Sequence, residues 1–234
     1  PRSTLFPYTT LFRSPVWRTV EGGSISYVSR ILEKGKFSRR TGNGAKRISR
    51  LAGGVGVEFE DGSSKVYDEV VIATHSDQAL ALLGNPTPLE KDVLGAIGYQ
   101  PNKAVLHSDE SMMPPNKKAW AAWNVLLHKN QREQVELTYD MNALQHIKEG
   151  RWLVTLNPER EIDPDKIHRT YNYNHPFFDV GALDAQMKWN EVSGVDRIHY
   201  CGAYWRHGFH EDGLWSAMRV VDQILDTMNV RKIA

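Results

Sequence analysis

The sequence contains very little cysteine and has no excess of either charge. Its 234 residues include a single cysteine, so an internal disulfide is excluded and a reducing compartment is expected. Lys and Arg number 29 against 28 Asp and Glu, which gives a formal net charge of +1. Because surfaces that bind nucleic acid or anionic membranes usually carry a basic excess, neither is expected as the main partner. The expected location is cytoplasmic.

Long apolar runs and two common catalytic motifs are also absent. No run approaches the roughly 20 apolar residues of a membrane-spanning helix, so stable insertion is not expected, while peripheral contact stays open. The sequence has no G-x-S-x-G turn and no P-loop, which argues against a serine hydrolase and an NTPase. What is present, 41% hydrophobic and 24% charged residues, is typical of a globular protein with a substantial core.

Residues 1–14 differ from the rest of the chain in their sequence pattern. They read PRSTLFPYTTLFRS and show neither a helical nor a strand period. This stretch resembles the in-frame translation of a common sequencing adapter, and such segments are left out of fold reasoning. We therefore expect the natural protein to begin upstream of Pro15, with further chain before it.

The segment up to residue 83 predicts a helix, a small β-meander and a buried strand. Apolar residues recur at helical spacing over residues 25–34, between Ser24 and Gly35. Short alternating runs flank the Asp61-Gly62 turn signal. Residues 68–74 then form a β-branched apolar run, which is typical of a strand buried in a parallel sheet. A helix is expected to follow it, up to Leu83.

The middle of the chain predicts a different domain. Thr87, with Glu90 three residues later, forms a capping box for a helix that reaches Ile97. Four strand-like runs follow, and they indicate a mixed or antiparallel sheet. These runs are residues 103–107, 119–127, 134–138 and 152–156.

The C-terminal part predicts a second strand–turn–helix unit. Residues 194–202 are a short buried strand, residues 208–213 a turn, and residues 214–228 an amphipathic helix. Strand–turn–helix units at both ends of a chain, with a sheet between them, indicate a nucleotide-binding domain that carries an inserted second domain. The residues expected to face inward on the helix are Leu214, Met218, Val221, Ile224 and Leu225.

The turn between this strand and helix has the features of a cofactor contact. Gly202 has no Cβ, so the main chain there can approach a flat ligand closely. The unpaired N–H groups and the dipole at a helix N-terminus stabilise negative charge nearby. A reduced flavin carries such a charge, so the pattern favours a flavin-binding protein.

Four segments together resemble a known family. CGAYWRHGFHEDGLWSA, VVIATHSDQALALLGNPTP, GYQPNKAVLHSD and TYDMNALQ are similar to a bacterial group of predicted NAD/FAD-binding proteins. That group belongs to the flavin amine oxidase and phytoene desaturase-like superfamily and is often encoded beside cyclopropane fatty-acid synthases. The resemblance runs in collinear order from Pro15 to the C-terminus.

The resemblance implies an α/β fold with two domains. The first is an incomplete, Rossmann-like FAD-binding domain of the glutathione-reductase type, over residues 15–85 and 184–234. The second is a mixed-sheet α+β substrate domain inserted at residues 86–183. The implied cofactor is non-covalent FAD, and the implied cofactor-binding residues are Ala45, Thr74, Gly202, Ala203, Tyr204, Asp212, Gly213 and Leu214.

Other residues carry weaker expectations. Trp205, His210 and Lys103 are candidates to face the substrate, and the aromatic ring of Trp205 is equally consistent with core packing. His207, His210 and Glu211 form a low-specificity pattern, so no metal is expected. The sequence identifies no catalytic acid or base.

The sequence departs from the family in one respect. The family's G-x-G-x-x-G motif, which holds the pyrophosphate, is not found, so the chain as given is expected to bind FAD poorly and to be inactive alone. The intact protein is expected to be an FAD-dependent oxidoreductase that removes a hydride from a small organic, lipid or isoprenoid substrate. A flavin amine oxidase proper, and a non-catalytic flavin-binding or redox-sensing module, remain alternatives. The oligomeric state is left open.

Overall fold

The computed structural model describes residues 18–127 and 136–233, so residues 1–14 lie outside it. Its helices are α1 (Ile25–Lys34), α2 (Ser76–Leu82), α3 (Pro88–Gly95), α4 (Met141–Gln145), α5 (Val180–Met187), α6 (Trp189–Val192) and α7 (His210–Ile233). Its strands are β1 (Ala45–Leu51), β2 (Gly54–Phe59), β3 (Ser64–Tyr67), β4 (Val70–Ile72), β5 (Gly98–His107), β6 (Trp123–Leu126), β7 (Glu136–Asp140), β8 (Leu153–Leu156), β9 (Ile167–Phe177) and β10 (Ile198–Tyr200).

The chain divides into two compact units. Among the described residues, the first unit comprises residues 18–38, 103–127 and 136–172, and the second comprises residues 39–102 and 173–233. The assignment of residues 15–85 and 184–234 to FAD binding, and of residues 86–183 to substrate binding, stays a prediction. Within residues 18–127 and 136–233, no helix is both long and apolar enough to cross a membrane.

The second unit contains the predicted meander and the predicted pair of buried strands. Strands β1, β2 and β3 form an antiparallel sheet in that order. Strands β4 and β10 pair in parallel, with Val70, Val71 and Ile72 opposite Ile198, His199 and Tyr200. The predicted meander is confirmed, and a short strand is present at each of the two other predicted positions, but β4 is not fully buried, because Val71 is 44% exposed. The strand at residues 194–202 is shorter than expected because Asp196 and Arg197 have positive φ angles of 50° and 69°, which no strand accommodates.

A buried carboxylate joins three elements of this unit. Glu90 on α3 is 2% exposed, and it accepts hydrogen bonds from the Tyr200 hydroxyl at 2.5 Å and the Thr87 N–H at 2.8 Å. The guanidinium of Arg50 on β1 lies 2.6 Å from the same carboxylate. Burial by itself raises the pKa of Glu90, but these bonds outweigh it and hold the pKa below its usual value. The carboxylate therefore fixes α3 against β1 and β10.

The inward face predicted for α7 is wrong except at Ile224, which packs partly buried against the core. Leu214, Met218, Val221 and Leu225 are 58%, 52%, 44% and 52% exposed, whereas Ser216 and Val220 are 0% and 2% exposed. The helix turns this other face inward because its polar residues bond to the rest of the unit. Ser216 bonds to Gly202, and the Gln223 side-chain amide donates to the Ser193 carbonyl at 3.1 Å.

The first unit is built on a larger sheet. The strand order is β6-β7-β8-β5-β9, and the pairs β6–β7, β7–β8 and β5–β8 are antiparallel. The expected strand at residues 119–127 shortens to β6, because Asn116 caps a 3-10 turn at Lys117–Ala119. Part of the run at residues 134–138 lies outside the described residues. Strand β9 was not predicted, although Ile167, Tyr171, Tyr173 and Phe177 alternate along it and share one face; all four are exposed.

A neutral histidine is buried inside this sheet. His107 is fully buried, and its Nε2 lies 2.7 Å from the Thr155 hydroxyl, which lies 2.9 Å from the hydroxyl of Thr138. The Asp109 N–H donates to Nδ1 of His107 at 3.1 Å. Because a backbone N–H can only donate, Nδ1 is the acceptor and the ring proton is on Nε2. Burial lowers the pKa of His107 to about 4, despite the nearby charge of Asp109.

We predict a pH-dependent loss of stability that originates at His107. Between the ordinary pKa of 6.5 and the folded value of about 4, the unfolded chain binds a proton that the folded chain excludes. The free energy of unfolding therefore falls as the pH falls through this window, by at most about 3 kcal/mol. Urea unfolding at several pH values, compared between wild type and His107→Gln, should show a shallower decline in the variant.

His146→Gln is the matched control for this measurement, because His146 is exposed and its loss should leave the pH dependence unchanged. Identical slopes for His107→Gln and wild type would contradict the assignment.

Candidate functional site

An open cavity of about 500 Å³ lies in the second unit, at the carboxyl ends of β4 and β10. Ligands of α/β proteins commonly bind at this edge of a parallel sheet, in cavities of about 300–1,000 Å³. Its walls come from the two strand ends, from the start of β5, from the end of β9 and from the turn before α7. The lining consists of residues 73–75, 173–176 and 202–204 with Gln78, Tyr99 and Gly208.

The main chain at Gly202 is tied to the first turns of α7. Its N–H donates to the hydroxyl of Ser216 at 2.9 Å, and that hydroxyl lies 2.8 Å from the Gly213 carbonyl. Ser216 is fully buried, so this bond is shielded from water. A Cβ on Gly202 would lie 2.5 Å from the ring of Tyr204, and the residue has φ +158°. Glycine is therefore required where β10 ends at the cavity.

A flat stack of two rings forms another wall. The rings of His75 and Tyr99 have centroids 4.5 Å apart and an interplanar angle of 16°. The Tyr99 hydroxyl accepts from the Ser76 N–H at 2.7 Å, and Ser76 is fully buried. Because Ser76 anchors the ring of Tyr99, the stack is a fixed planar surface.

Among the residues that the structure describes, the cavity lining carries no formal charge. These lining residues include no Asp, Glu, Lys or Arg, and the side chains among them that can exchange protons are histidines and tyrosines. Tyr204 is 3% exposed, and burial raises the pKa of its hydroxyl. That hydroxyl and the indole N–H of Trp205 meet no hydrogen-bond partner of good geometry among the described residues. Both groups are shielded from solvent, so they are buried polar groups rather than exposed contacts of the cavity.

The positive end of the helix dipole at the start of α7 is offset by a carboxylate of the chain itself. The Asp212 carboxylate accepts from the N–H groups of His207 at 3.2 Å and Phe209 at 2.9 Å, and it is buried. Its charge sits where the helix dipole favours a negative group. The predicted contact between this turn and a flavin stays a prediction, and Asp212 already supplies an anion there.

The predicted cofactor-binding residues fall into two groups. Thr74, Gly202, Ala203 and Tyr204 line the cavity. The remainder lie elsewhere in the second unit. Ala45 is exposed and pairs with Phe59 at the start of β1, Gly213 lies within α7, and Leu214 is 58% exposed.

The predicted substrate-facing residues do not line the cavity. Trp205 is 3% exposed and belongs to the main hydrophobic core. His210 is exposed at the first residue of α7. Lys103 is exposed, belongs to the first unit, and has its backbone paired with Asn157.

Several residues at or beside the cavity were missed at the level of sequence. Ser216, which bonds to Gly202 and is not a lining residue, had a local signal, since it is a small polar residue one helical turn beyond Gly213. Tyr99 and residues 173–176 had none, because they reach the cavity only through long-range packing of β5 and β9. Over residues 18–127 and 136–233, no group of three or more His, Cys, Asp or Glu residues could hold a metal ion.

No protein-family model and no curated protein matches the chain. Solved structures do match it. A CLA-producing fatty acid isomerase from P. acnes is 13% identical, with a TM-score of 0.61. A reduced UDP-galactopyranose mutase is 16% identical, with a TM-score of 0.60, and a redesigned putrescine oxidase is 11% identical, with a TM-score of 0.61.

These matches extend over most of the chain, covering 86%, 90% and 88% of it respectively. At these identities the matches show a shared fold, so the chain has the fold of these three enzymes over most of its length. The fold expected from the sequence resemblance agrees with these matches, and FAD stays the predicted cofactor. The chain spans about half the length of these enzymes, between 52% and 53% of each.

The cavity fits one part of FAD, the predicted cofactor. A flavin ring is flat, which suits a lining with a fixed aromatic wall. A pyrophosphate needs cationic side chains or a row of free N–H groups, and among the described residues of the lining there is no Lys or Arg. The described part of the lining therefore fits the ring and supplies no cation for the pyrophosphate.

We predict opposite effects from adding a methyl group at two nearby glycines. Gly202→Ala should destabilise the protein by about 1–3 kcal/mol, because its Cβ meets the Tyr204 ring at 2.5 Å. Gly213→Ala should stabilise it by about 0.5–1 kcal/mol, because α7 is helical there and the nearest atom to the new Cβ is 4.0 Å away. Urea unfolding of both variants measures the difference, and equal effects of the same sign would refute the geometry at Gly202.

Proposed function

We propose that this chain is part of an FAD-dependent oxidoreductase, and that the cavity at the ends of β4 and β10 holds the flavin ring. The proposal rests on the uncharged cavity at the carboxyl edge of a parallel strand pair, where Gly202 has no side chain to cover its main chain. A bound flavin would supply the electron chemistry, accepting a hydride from an organic substrate. Gly202, Ala203 and the His75–Tyr99 stack would bind and orient the ring and keep water away from it.

The main-chain hydrogen bonding at the two edges of the β4–β10 pair supports the idea that the cavity is one part of a larger binding site. The outer edge of β10 is closed, since the Gly194 N–H donates to the Ile198 carbonyl at 2.8 Å and the Trp189 indole donates to the Tyr200 carbonyl at 2.9 Å. On β4, by contrast, Val70 and Ile72 bond toward β10, which leaves the main chain of Val71 directed away from it.

Val71 is also 44% exposed, although parallel strands are normally covered on both faces. This open edge has the form required to receive a further parallel strand. In our proposal, the segment that adds there brings the pyrophosphate-binding glycines, so the chain as given binds FAD weakly and is inactive alone.

The substrate is proposed to be a small organic molecule, with lipids and isoprenoids favoured. Among the solved members of the fold are an isomerase of fatty acids, a mutase of a sugar nucleotide and an oxidase of putrescine. In an amine oxidase a lysine is expected near the flavin, and the candidate Lys103 is not among the lining residues. A non-catalytic flavin-binding module remains the second alternative, and it predicts flavin reduction without turnover.

We predict that the chain binds riboflavin in the cavity and binds FAD no more tightly. The ring should enter the uncharged lining, while the pyrophosphate should gain little without cationic partners there. Quenching of flavin fluorescence measures both affinities. Ala203→Trp should abolish binding by filling the cavity, whereas Lys65→Ala, at an exposed position on β3, should leave it unchanged.

Two results would count against these statements. Unchanged riboflavin binding by a folded Ala203→Trp variant would place the flavin elsewhere. FAD binding that is 100-fold tighter than riboflavin binding would show that the chain itself holds the pyrophosphate. For the intact gene product, anaerobic bleaching of the flavin absorbance by unsaturated lipids or by amines would separate the first two functions.

A further inference from the structure

The tautomer of one cavity histidine is set by a neighbouring strand. Nδ2 of Asn102 on β5 lies 3.0 Å from the Gln100 carbonyl oxygen and 2.9 Å from Nδ1 of His175 on β9. A carbonyl oxygen can only accept, so the Asn102 atom that faces it must be the amide nitrogen. That nitrogen has two hydrogens, one for each of these acceptors. Nδ1 of His175 is therefore an acceptor, and the neutral ring carries its proton on Nε2.

Most other polar groups of the lining are already used within the chain. The Tyr99 hydroxyl bonds to Ser76, and the Thr74 hydroxyl donates to the His75 carbonyl at 3.0 Å. The Gln78 side-chain oxygen accepts from the His75 N–H at 3.2 Å. For Nε2–H of His175 the described residues supply no acceptor. His175 is exposed, so this N–H of fixed orientation faces the open cavity, where solvent or a ligand can accept from it.

We propose that His175 donates a hydrogen bond from Nε2 to an acceptor oxygen of the bound ligand, and that Asn102 is the positioning residue that keeps the proton on Nε2. The ligand chemistry is an oxygen that accepts a hydrogen bond, supplied by a ring carbonyl of the flavin or by a carboxylate of the substrate. The inference rests on the proposed function for the cavity, but the tautomer itself can be tested without any ligand.

Asn102→Asp is the decisive substitution because it keeps the size and reverses the hydrogen bonding. A carboxylate can only accept, so it should draw the ring proton of His175 from Nε2 to Nδ1. Long-range ¹H–¹⁵N correlation spectra of the histidine rings should show an Nε2–H tautomer for His175 in wild type and an Nδ1–H tautomer in the variant. A wild-type His175 found as Nδ1–H, or a tautomer unchanged in Asn102→Asp, would overturn the proposal.

Ligand binding is tested with two probes, riboflavin and hexanoate. One of them should perturb the His175 Nε2 signal in wild type, and that probe identifies the source of the acceptor oxygen. His175→Phe should weaken binding of this probe roughly 3- to 10-fold, the loss expected for one hydrogen bond. His175→Gln, whose amide places an N–H near the Nε2 position, should restore most of the affinity. This conservative variant separates a lost donor from a general loss of folding.

Failure of the proposed function can be distinguished from failure of the inference about His175. Binding of hexanoate at His175 without binding of riboflavin would remove the proposed flavin site and leave the role of His175 intact. Binding of riboflavin in the cavity with no change at His175 from either probe would keep the proposed function and overturn this inference.

Discussion

The parallel pairing of β4 with β10 is the constraint on which the rest of the second unit depends. It joins residues near Val70 to residues near Ile198, and it brings the carboxyl ends of both strands to one edge. Thr74 and Gly202 meet at the cavity only because of this register. Since the side-chain period of a strand is two, a slip by one residue would turn Ile198 and Tyr200, both fully buried, toward the opposite face.

The register is held mainly by polar groups that bond to β10 from other elements. The Tyr200 hydroxyl bonds to Glu90 and the Tyr200 carbonyl to the Trp189 indole, so both ends of this one residue are fixed. His199, on the opposite face, lies 3.1 Å from Glu69 and 3.3 Å from Gln223. Loss of any of these bonds would leave a buried polar group unsatisfied, which costs about 1–3 kcal/mol. A slipped register would lose several at once.

The features that could be read from the sequence are those fixed by local chemistry. The Thr87–Glu90 capping box, the Asp61-Gly62 turn and the β-branched run of β4 act over a few residues, and each appears within the segment where it was expected. Apolar periodicity failed for α7 because it identifies an apolar stripe without showing which face the chain covers. The inward face was decided by Ser216 and Gln223, whose partners are Gly202 and Ser193.

The candidate site shows the same division between local and long-range signals. Glycine at the end of a buried strand pointed to Gly202, and the segment after β4 pointed to Thr74. The aromatic and histidine wall could not be foreseen, because Tyr99 and His175 belong to strands that are far apart in sequence and are brought together by the sheet order β5-β9. No spacing rule links such residues in a single sequence.

An uncharged lining limits what this chain can contribute to a reaction. The fold is shared by an isomerase, a mutase and an oxidase, so the fold alone does not select the chemistry. Among the described lining residues there is no carboxylate or ammonium group to act as a strong acid or base, and proton exchange falls to histidine and tyrosine side chains. A site of this kind acts by orienting a ring, excluding water and offering hydrogen bonds of fixed direction. A site with these properties suits a reaction in which the electrons move through a bound cofactor and the protein sets the geometry.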